Sequence, residues 1–546
     1  MSSNTIACHI NKVVLALHKK LLREIEYSRE HAAEYQSGVF NTLINCGQYS
    51  KFGKQMGLSK IKSLGEFQKR VPLFRYEELH PYIERLRQGE EYVLWNQKVK
   101  WYAKSSGTSS EKSKYIPLTP DSLRVTHFGG MKRMLVNYVR HYPQSRIFSS
   151  KALTLGGSVT PVDSYNGGAY GFEGDLSAVM LKNSPTIVEL IRTPSKKVAL
   201  IGDFAKKVEL ICKESIGQNV SNFSGVPSWN LVLLNKILEH SGKSNILEVW
   251  PQMELFMHGG ISFSPYRQTY KKLFPSNQMH YLENYNASEG YFAFQDEFPA
   301  NSLENSEQAD MLLTVNNGVF YEFIPFNRYF EIIESCSAEA QGEKKGGSSP
   351  NLESCIVPLE GVTTGVDYAI VISTFGGLWR YVLEDCVRFT SINPYRIIVT
   401  GRTKLYINAF GEELMIDNAE KALSAACSKA AITITDYTVA PVFMEGKEQG
   451  YHLWAVEFTD PLRNPASKEF STAAVEEFAE LLDRELAKVN SDYEAKRSPG
   501  STMQRLKIKP VAPGTFYKWM ESRGKTGGQN KVPRLHKDLT YIHQLQ

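Results

Sequence analysis

Long apolar runs are missing from this 546-residue chain. Near the N-terminus the longest is Val13 to Leu17, too short for the core of a secretory signal. No later segment reaches the length that a bilayer-crossing helix needs. Cysteines are few: Cys8, Cys46, Cys212, Cys336, Cys355, Cys386 and Cys427 are odd in number, scattered and never in a C-x-x-C pair. That pattern argues against a disulfide or zinc framework and for reduced thiols. A strong excess of one charge is lacking too, since 63 basic residues face 58 acidic ones and leave +5. Neither nucleic acid nor a membrane surface is therefore expected as a partner. The Gly-x-x-x-x-Gly-Lys-Ser/Thr phosphate loop is absent, as are Ser-His-Asp and metal-ligand spacings. What remains is a soluble, cytoplasmic globular protein, 42% hydrophobic and 22% charged, long enough for several structural units.

Periodicity organises the chain. Ile10, Val13, Val14, Leu17, Leu21 and Ile25 recur at helical spacing and predict one packed helical face. Residues from Leu64 to Leu94 read as helical stretches broken at Pro72 and Pro81. Asp121 is placed to cap a helix running towards Tyr138. The short apolar strands Ala152 to Leu155, Leu255 to Met257 and His280 to Leu282 alternate with helices and predict an α/β sheet. From Met311 to Thr390 the pattern becomes antiparallel. Met311 to Val315, Asn316-Asn317-Gly318 and Val319 to Phe323 read as a hairpin, and Tyr368 to Thr374, Gly376-Gly377 and Leu378 to Tyr381 repeat it. Ser337 to Glu353 is polar and Gly/Ser-rich and reads as an exposed, mobile loop. The expected fold class is α/β. A large N-terminal α/β domain (1–400) carries an appended antiparallel sheet or barrel, and a small C-terminal α+β lid (401–546) shows a βαββαβ-like order.

Five motifs carry chemistry. The first, Ser105-Ser106-Gly107-Thr108-Ser109-Ser110-Glu111-Lys112-Ser113-Lys114, follows a strand; its N–H groups, hydroxyls and lysine suit phosphate oxygens. Glu283 to Tyr291 follows another strand, and a carboxylate there could hold Mg²⁺, a cation that takes oxygen ligands, while Tyr285 could stack on a base. Asp385, in Gly376 to Asp385, could accept from both hydroxyls of a ribose. Gly401-Arg402-Thr403-Lys404 resembles a hinge. Near the end, Gly527-Gly528-Gln529-Asn530-Lys531 would let a lysine approach a ligand, against the plain reading of a basic, frayed tail. His258, before Gly259-Gly260, is expected to be structural.

In this order the motifs resemble the adenylate-forming superfamily. Within it the chain resembles a bacterial-type member of the Gretchen Hagen acyl-acid amido synthetase family, also called the auxin-responsive promoter family. Lys114 and Pro117 fall in step with its Ser-Ser-Gly-Thr-Ser loop; Tyr285, Ser288 and Glu289 meet its Tyr-x-x-Ser-Glu motif; Trp379 to Asp385 loosely meet its Tyr-Arg-x-Gly-Asp motif. The resemblance implies ATP and Mg²⁺ as cofactors, with Ser105, Ser106, Thr108, Ser109 and Lys114 on the phosphates. Tyr285 and Ser288 would lie along the adenosine, Glu289 would bind the metal, Asp385 would hold the ribose, and Arg402 would belong to the same nucleotide site. Lys531 would reach the α-phosphate; with Glu289 it is the expected catalytic residue. Three positions depart from the pattern: Ser110 and Glu111 stand where plant members carry glycines, and Glu384 replaces the glycine before the aspartate.

The implied reaction adenylates a carboxylic acid and passes the acyl group to an amine, an amino acid being expected, with both substrates small molecules. Apolar Met131, Val226, Trp229 and Leu231 suggest a substrate wall, or equally core packing. A ligase using CoA or a separate carrier protein shares the first step and remains open at this point. So does a nucleotide-binding protein without turnover.

Overall fold

In the computed structural model the described residues are 3–105, 114–163, 169–260, 263, 266–298, 309–340, 355–403, 406–407, 409–410, 412, 414–443, 450–459, 470–497, 503–525 and 531–545. The first segment is helical as its period predicts, but in three pieces, Ser3–Leu17, Lys19–Glu30 and Ala32–Gly47. The break at His18 (φ −107°, ψ 18°) destroys the single face. Ala7, Asn11 and Ile25 are buried, whereas Val13 and Leu17 are 59% and 76% exposed. Pro81 does not break its helix but lies inside Tyr76–Arg87.

Two sheets organise the large part of the molecule. In a four-stranded sheet, the hairpin of Trp101–Ser105 and Lys114–Leu118 lies beside Ala169–Gly174 and Val159–Asp163. The other sheet has twelve strands. Its first half is parallel, in the order Arg192–Thr193, Lys151–Thr154, Val220–Gly225, Leu255–His258 and His280–Ala287. Leu255–His258 is buried along its whole length, as parallel strands covered on both faces are. The antiparallel strands continue the same hydrogen-bonded sheet through Gly290–Phe294, Met311–Leu313, Tyr395–Arg402, Tyr381–Ile392, Asp367–Thr374 and Val319–Pro325.

Two local expectations fail for physical reasons. The Asn-Gly turn does not join a hairpin, because Met311–Leu313 and Val319–Pro325 occupy separate places in the sheet. Gln36 takes the backbone groups that such a hairpin would pair. Its amide donates to the carbonyls of Val315 (2.8 Å) and Val319 (3.0 Å), and its oxygen accepts from the Tyr321 N–H (2.9 Å). Asp121 is already helical (φ −70°, ψ −45°) and makes no capping bond. The Thr119 hydroxyl instead accepts from the Ser122 N–H at 3.0 Å, two residues earlier. Ser337 lies within the helix Phe326–Ala340, and 341–354 fall outside the described residues.

The C-terminal order holds. Helices Ile416–Ala430 and Thr472–Val489 pack on strands Ile434–Val442, Tyr451–Phe458 and Lys507–Val511. The segment around Leu535 adds to this sheet beside Val439. Ala440, Ala455, Phe516 and Val532 share a core with Phe204 and Trp229 of the large part.

Candidate nucleotide site

The phosphate-loop motif begins and ends on paired strands, since Ser105 lies opposite Lys114 in the ladder. Ser106, Thr108 and Ser109, with Ser110 and Glu111, lie outside the described residues. Lys114 is buried, and its ammonium meets the Glu384 carboxylate at 3.2 Å and the face of Tyr76 at 5.7 Å from the ring centre.

Strands His280–Ala287 and Gly290–Phe294 pair Ala287 with Gly290, leaving Ser288 and Glu289 as the turn between them. Ser288 is buried. Glu289 is half-buried. Desolvation raises its carboxyl pKa above the ordinary carboxylate value, with Lys114 and Arg402 opposing the effect. Tyr285 is not a free stacking face. It is buried, lies against Phe292 with ring centres 4.9 Å apart, and donates its hydroxyl to Asp385 at 2.6 Å. Desolvation first, and the Asp385 charge second, push this phenol well above its ordinary pKa.

Asp385 is aimed by a bulge. Between Ala369↔Cys386 and Val371↔Val382 in the ladder, Leu383, Glu384 and Asp385 face the single residue Ile370; such extra residues bend a strand and redirect its side chains. Glu384 adopts φ +67°, so the backbone keeps a glycine-like conformation although a side chain is present. The free oxygen of Asp385 accepts from Arg402 Nε at 2.8 Å, and this charge is the main cause that raises the Arg402 pKa. Arg402 is not in a loose turn: it ends the strand Tyr395–Arg402, directly across from Asp385. Thr403 is also held, its N–H donating to the Glu384 carbonyl at 2.9 Å. In this arrangement Arg402 and Thr403, within the segment that resembles a hinge, are hydrogen-bonded to the sheet.

Lys531 arrives from the far end of the sequence. Its ammonium lies so near Gly260 that a β-carbon built there would stand 3.1 Å from Nζ and 3.5 Å from Val226. Gly260 has φ +82°, a backbone conformation that favours glycine, and an added β-carbon would displace the ammonium by a few tenths of an ångström. Desolvation, then the Arg402 charge, lower the Lys531 pKa to about 8, while Asp385, Glu289 and Glu420 oppose them. The chain after Lys531 is not a frayed tail. Val532 and Leu535 are buried, the Arg534 carbonyl accepts from the Val439 N–H at 2.8 Å, and the Arg534 guanidinium pairs with Asp436 and donates to the Tyr266 hydroxyl at 2.5 Å.

Glu289, Asp385, Arg402, Tyr285, Lys114 and Lys531 thus form one electrostatic cluster. Sequence reasoning missed Gly260 and Tyr266. The Gly259-Gly260 pair at a strand end was the available signal for the first; Tyr266 left none. Val226 flanks the Lys531 ammonium, whereas Trp229 and Leu231 belong to the core. His258 is buried against Phe263 with ring centres 4.4 Å apart, and desolvation lowers its pKa to about 3, in keeping with a structural role. Among the described residues no group of three His, Cys, Asp or Glu side chains could hold a metal. A lone carboxylate that interacts with Lys114 nonetheless fits Mg²⁺, which takes one or two carboxylates and completes its shell with substrate phosphates and water.

Known proteins resemble this chain over most of its length. Residues 21–279 match the GH3 family N-terminal domain, 312–402 the GH3 family central domain and 417–540 the GH3 family C-terminal domain. A putative indole-3-acetic acid-amido synthetase, GH3.9 of Arabidopsis thaliana, is 22% identical over 97% of this chain and 96% of its own. Among solved structures, the GH3.15 acyl acid amido synthetase is 16% identical and superposes with a TM-score of 0.74, covering 96% of this chain and 95% of its own. A 2-hydroxyisobutyryl-CoA ligase in the postadenylation state shares the fold at a TM-score of 0.57 and 13% identity, over 95% of this chain and 93% of its own. No helix among the described residues is long and apolar enough to cross a membrane.

Proposed function

The chain belongs to the GH3 family of the adenylate-forming superfamily, and on that premise we propose that it is an ATP-dependent acyl-acid amido synthetase. A substrate carboxylate oxygen attacks the α-phosphorus of ATP, the bond to pyrophosphate breaks, and an acyl-adenylate forms. An amine, most simply that of an amino acid, then attacks the acyl carbon; the carbon–oxygen bond to AMP breaks and the amine gives up a proton.

The observation that supports this reading is the convergence of the Lys531 ammonium on the Asp385, Glu289 and Arg402 charges. Ser105, Ser106, Thr108, Ser109 and Lys114 are assigned to the ATP phosphates. Asp385 is assigned to the ribose, with Tyr285 and Arg402 fixing its two oxygens, and Ser288 to the adenosine. Glu289 would hold Mg²⁺, whose charge offsets that of the phosphates. Lys531 brings a cation to the α-phosphate, where negative charge develops in a site with little water. We assign residues 1–400 to the nucleotide and acyl-acid domain and 401–546 to a closing lid, with Arg402 staying on the large sheet across from Asp385.

ATP–pyrophosphate exchange across a panel of carboxylic acids, followed by product analysis with amino acids, tests this. Acid-dependent exchange and an amide product are expected, with exchange lost in Glu289→Gln while the protein stays folded. A thioester with CoA but no amide would overturn the acceptor assignment. ATP binding without exchange would overturn the enzyme.

A further inference from the structure

A cavity of about 1140 Å³ opens between the first helix, the strand Trp101–Ser105 and the helix Phe128–His141. It exceeds the roughly 300–1,000 Å³ usual for small-ligand sites. Val14, Trp101, Leu118, Phe128, Leu135 and Phe148 supply apolar walls. Among the described residues the charged lining is one-sided: His18, Lys98, Lys100, Arg124 and Lys132 contribute to it beside the neutral Asn96, Gln97 and Asn183, and no carboxylate does. Lys98 is paired with Glu91 (2.7 Å) and Arg124 with Asp121 (3.2 Å). Lys100 and Lys132 are exposed and have no ion-pair partner among the described residues.

This cavity is separate from the nucleotide site. The helix Phe128–His141 turns Gly130 and Met134 towards the hairpin that carries Glu289: a β-carbon at Gly130 would stand 2.3 Å from the Tyr291 ring, and Met134 Sδ accepts from the Tyr291 hydroxyl at 3.1 Å. Phe128, Met131 and Leu135 face the cavity instead, and Lys114, Glu289, Asp385 and Lys531 take no part in its lining.

We propose that this cavity is a second, non-catalytic site for a long-chain carboxylate, its chain along the aromatic and aliphatic walls and its head group on Lys100 and Lys132. An apolar interior calls for an alkyl chain, and two unneutralised cations with no acidic neighbour in the lining call for one small anionic head. A neutral lipid would leave the lysines unanswered, and a polyanion would find only two free cations.

The test uses the full-length protein and laurate, titrated calorimetrically beside dodecan-1-ol. Laurate is expected to bind more tightly than the alcohol, and affinity is expected to rise with chain length from decanoate to laurate, by up to about fourfold per methylene. Lys100→Glu with Lys132→Glu should weaken laurate roughly tenfold, and Leu135→Trp should weaken it by filling the cavity. Neither change should alter ATP–pyrophosphate exchange with the preferred acid. Laurate binding untouched by these variants but abolished by Glu289→Gln or by the preferred acid would mean that it enters the catalytic site, and would overturn the proposal. So would equal binding of the alcohol, or adsorption to anionic-lipid vesicles without laurate binding.

Discussion

Glu384 stands where the family pattern has a glycine, and the departure has a structural answer. The backbone keeps the left-handed conformation (φ +67°), which costs a non-glycine residue roughly 1–2 kcal/mol. The side chain pairs with Lys114, so the carboxylate holds the lysine that ATP would claim. Glu384→Gly is expected to relieve the backbone and leave Lys114 without that partner, which can cost about 3–5 kcal/mol. Net loss in the free protein should be about 1–4 kcal/mol. ATP should then stabilise the variant more than the parent, and the KM for ATP should fall. Thermal melts with and without nucleotide check this; a smaller nucleotide shift would show that Lys114 does not meet phosphate. Tyr285→Phe removes one charge-assisted bond to Asp385, worth about 1.5–3 kcal/mol. It should raise the KM for ATP about tenfold and leave kcat less changed. An unaltered KM would leave the Tyr285 hydroxyl with a folding role only.

Single elements show how far periodicity carries. The strands near 152, 255 and 280 and the helix Ile416–Ala430 stand where their patterns predicted them; Leu255–His258 is buried throughout, while Lys151–Thr154 buries only Leu153. The Asn-Gly hairpin failed because a side chain from a distant helix, Gln36, outcompeted the local partner strand. The element that carries Lys531 sets a pH limit. Burial lowers the Lys531 pKa from 10.5 to about 8, so the free enzyme loses this cation as pH rises through 8. Adenylation kcat/KM should therefore fall on that limb, since kcat/KM reports the free enzyme's ionisations. In Lys531→Arg the limb should move out of range, at whatever lower rate the variant retains. A flat parent profile to pH 10 would contradict this.

At the scale of the whole molecule, the last residues complete a site begun more than four hundred positions earlier. Arg534, Val532 and Phe516 dock the C-terminal unit on the large part through Tyr266 and the shared core, and this docking brings the half-buried Lys531 to the site. Loss of one such transition-state donor costs about 10²–10³ in kcat. Lys531→Ala should lower acyl-adenylate formation by that factor while amide formation from a supplied acyl-adenylate falls much less. Single-turnover assays of the two half-reactions separate the cases, and equal losses in both would show that the unit does not act as a lid for the first step alone.

The sequence by itself determined the motifs, their order and the α/β alternation, because those depend on residue type and short spacing. It also singled out Glu289, Asp385, Arg402 and Lys531. Only the tertiary structure decided that Tyr285 serves Asp385 instead of offering a free face, that Arg402 is a cross-strand partner of Asp385 and not part of a loose hinge, and that Gly260 makes room for Lys531. Each is a contact between segments far apart in the chain, set by ladder register and burial, and no local pattern encodes which distant group will win a given hydrogen bond.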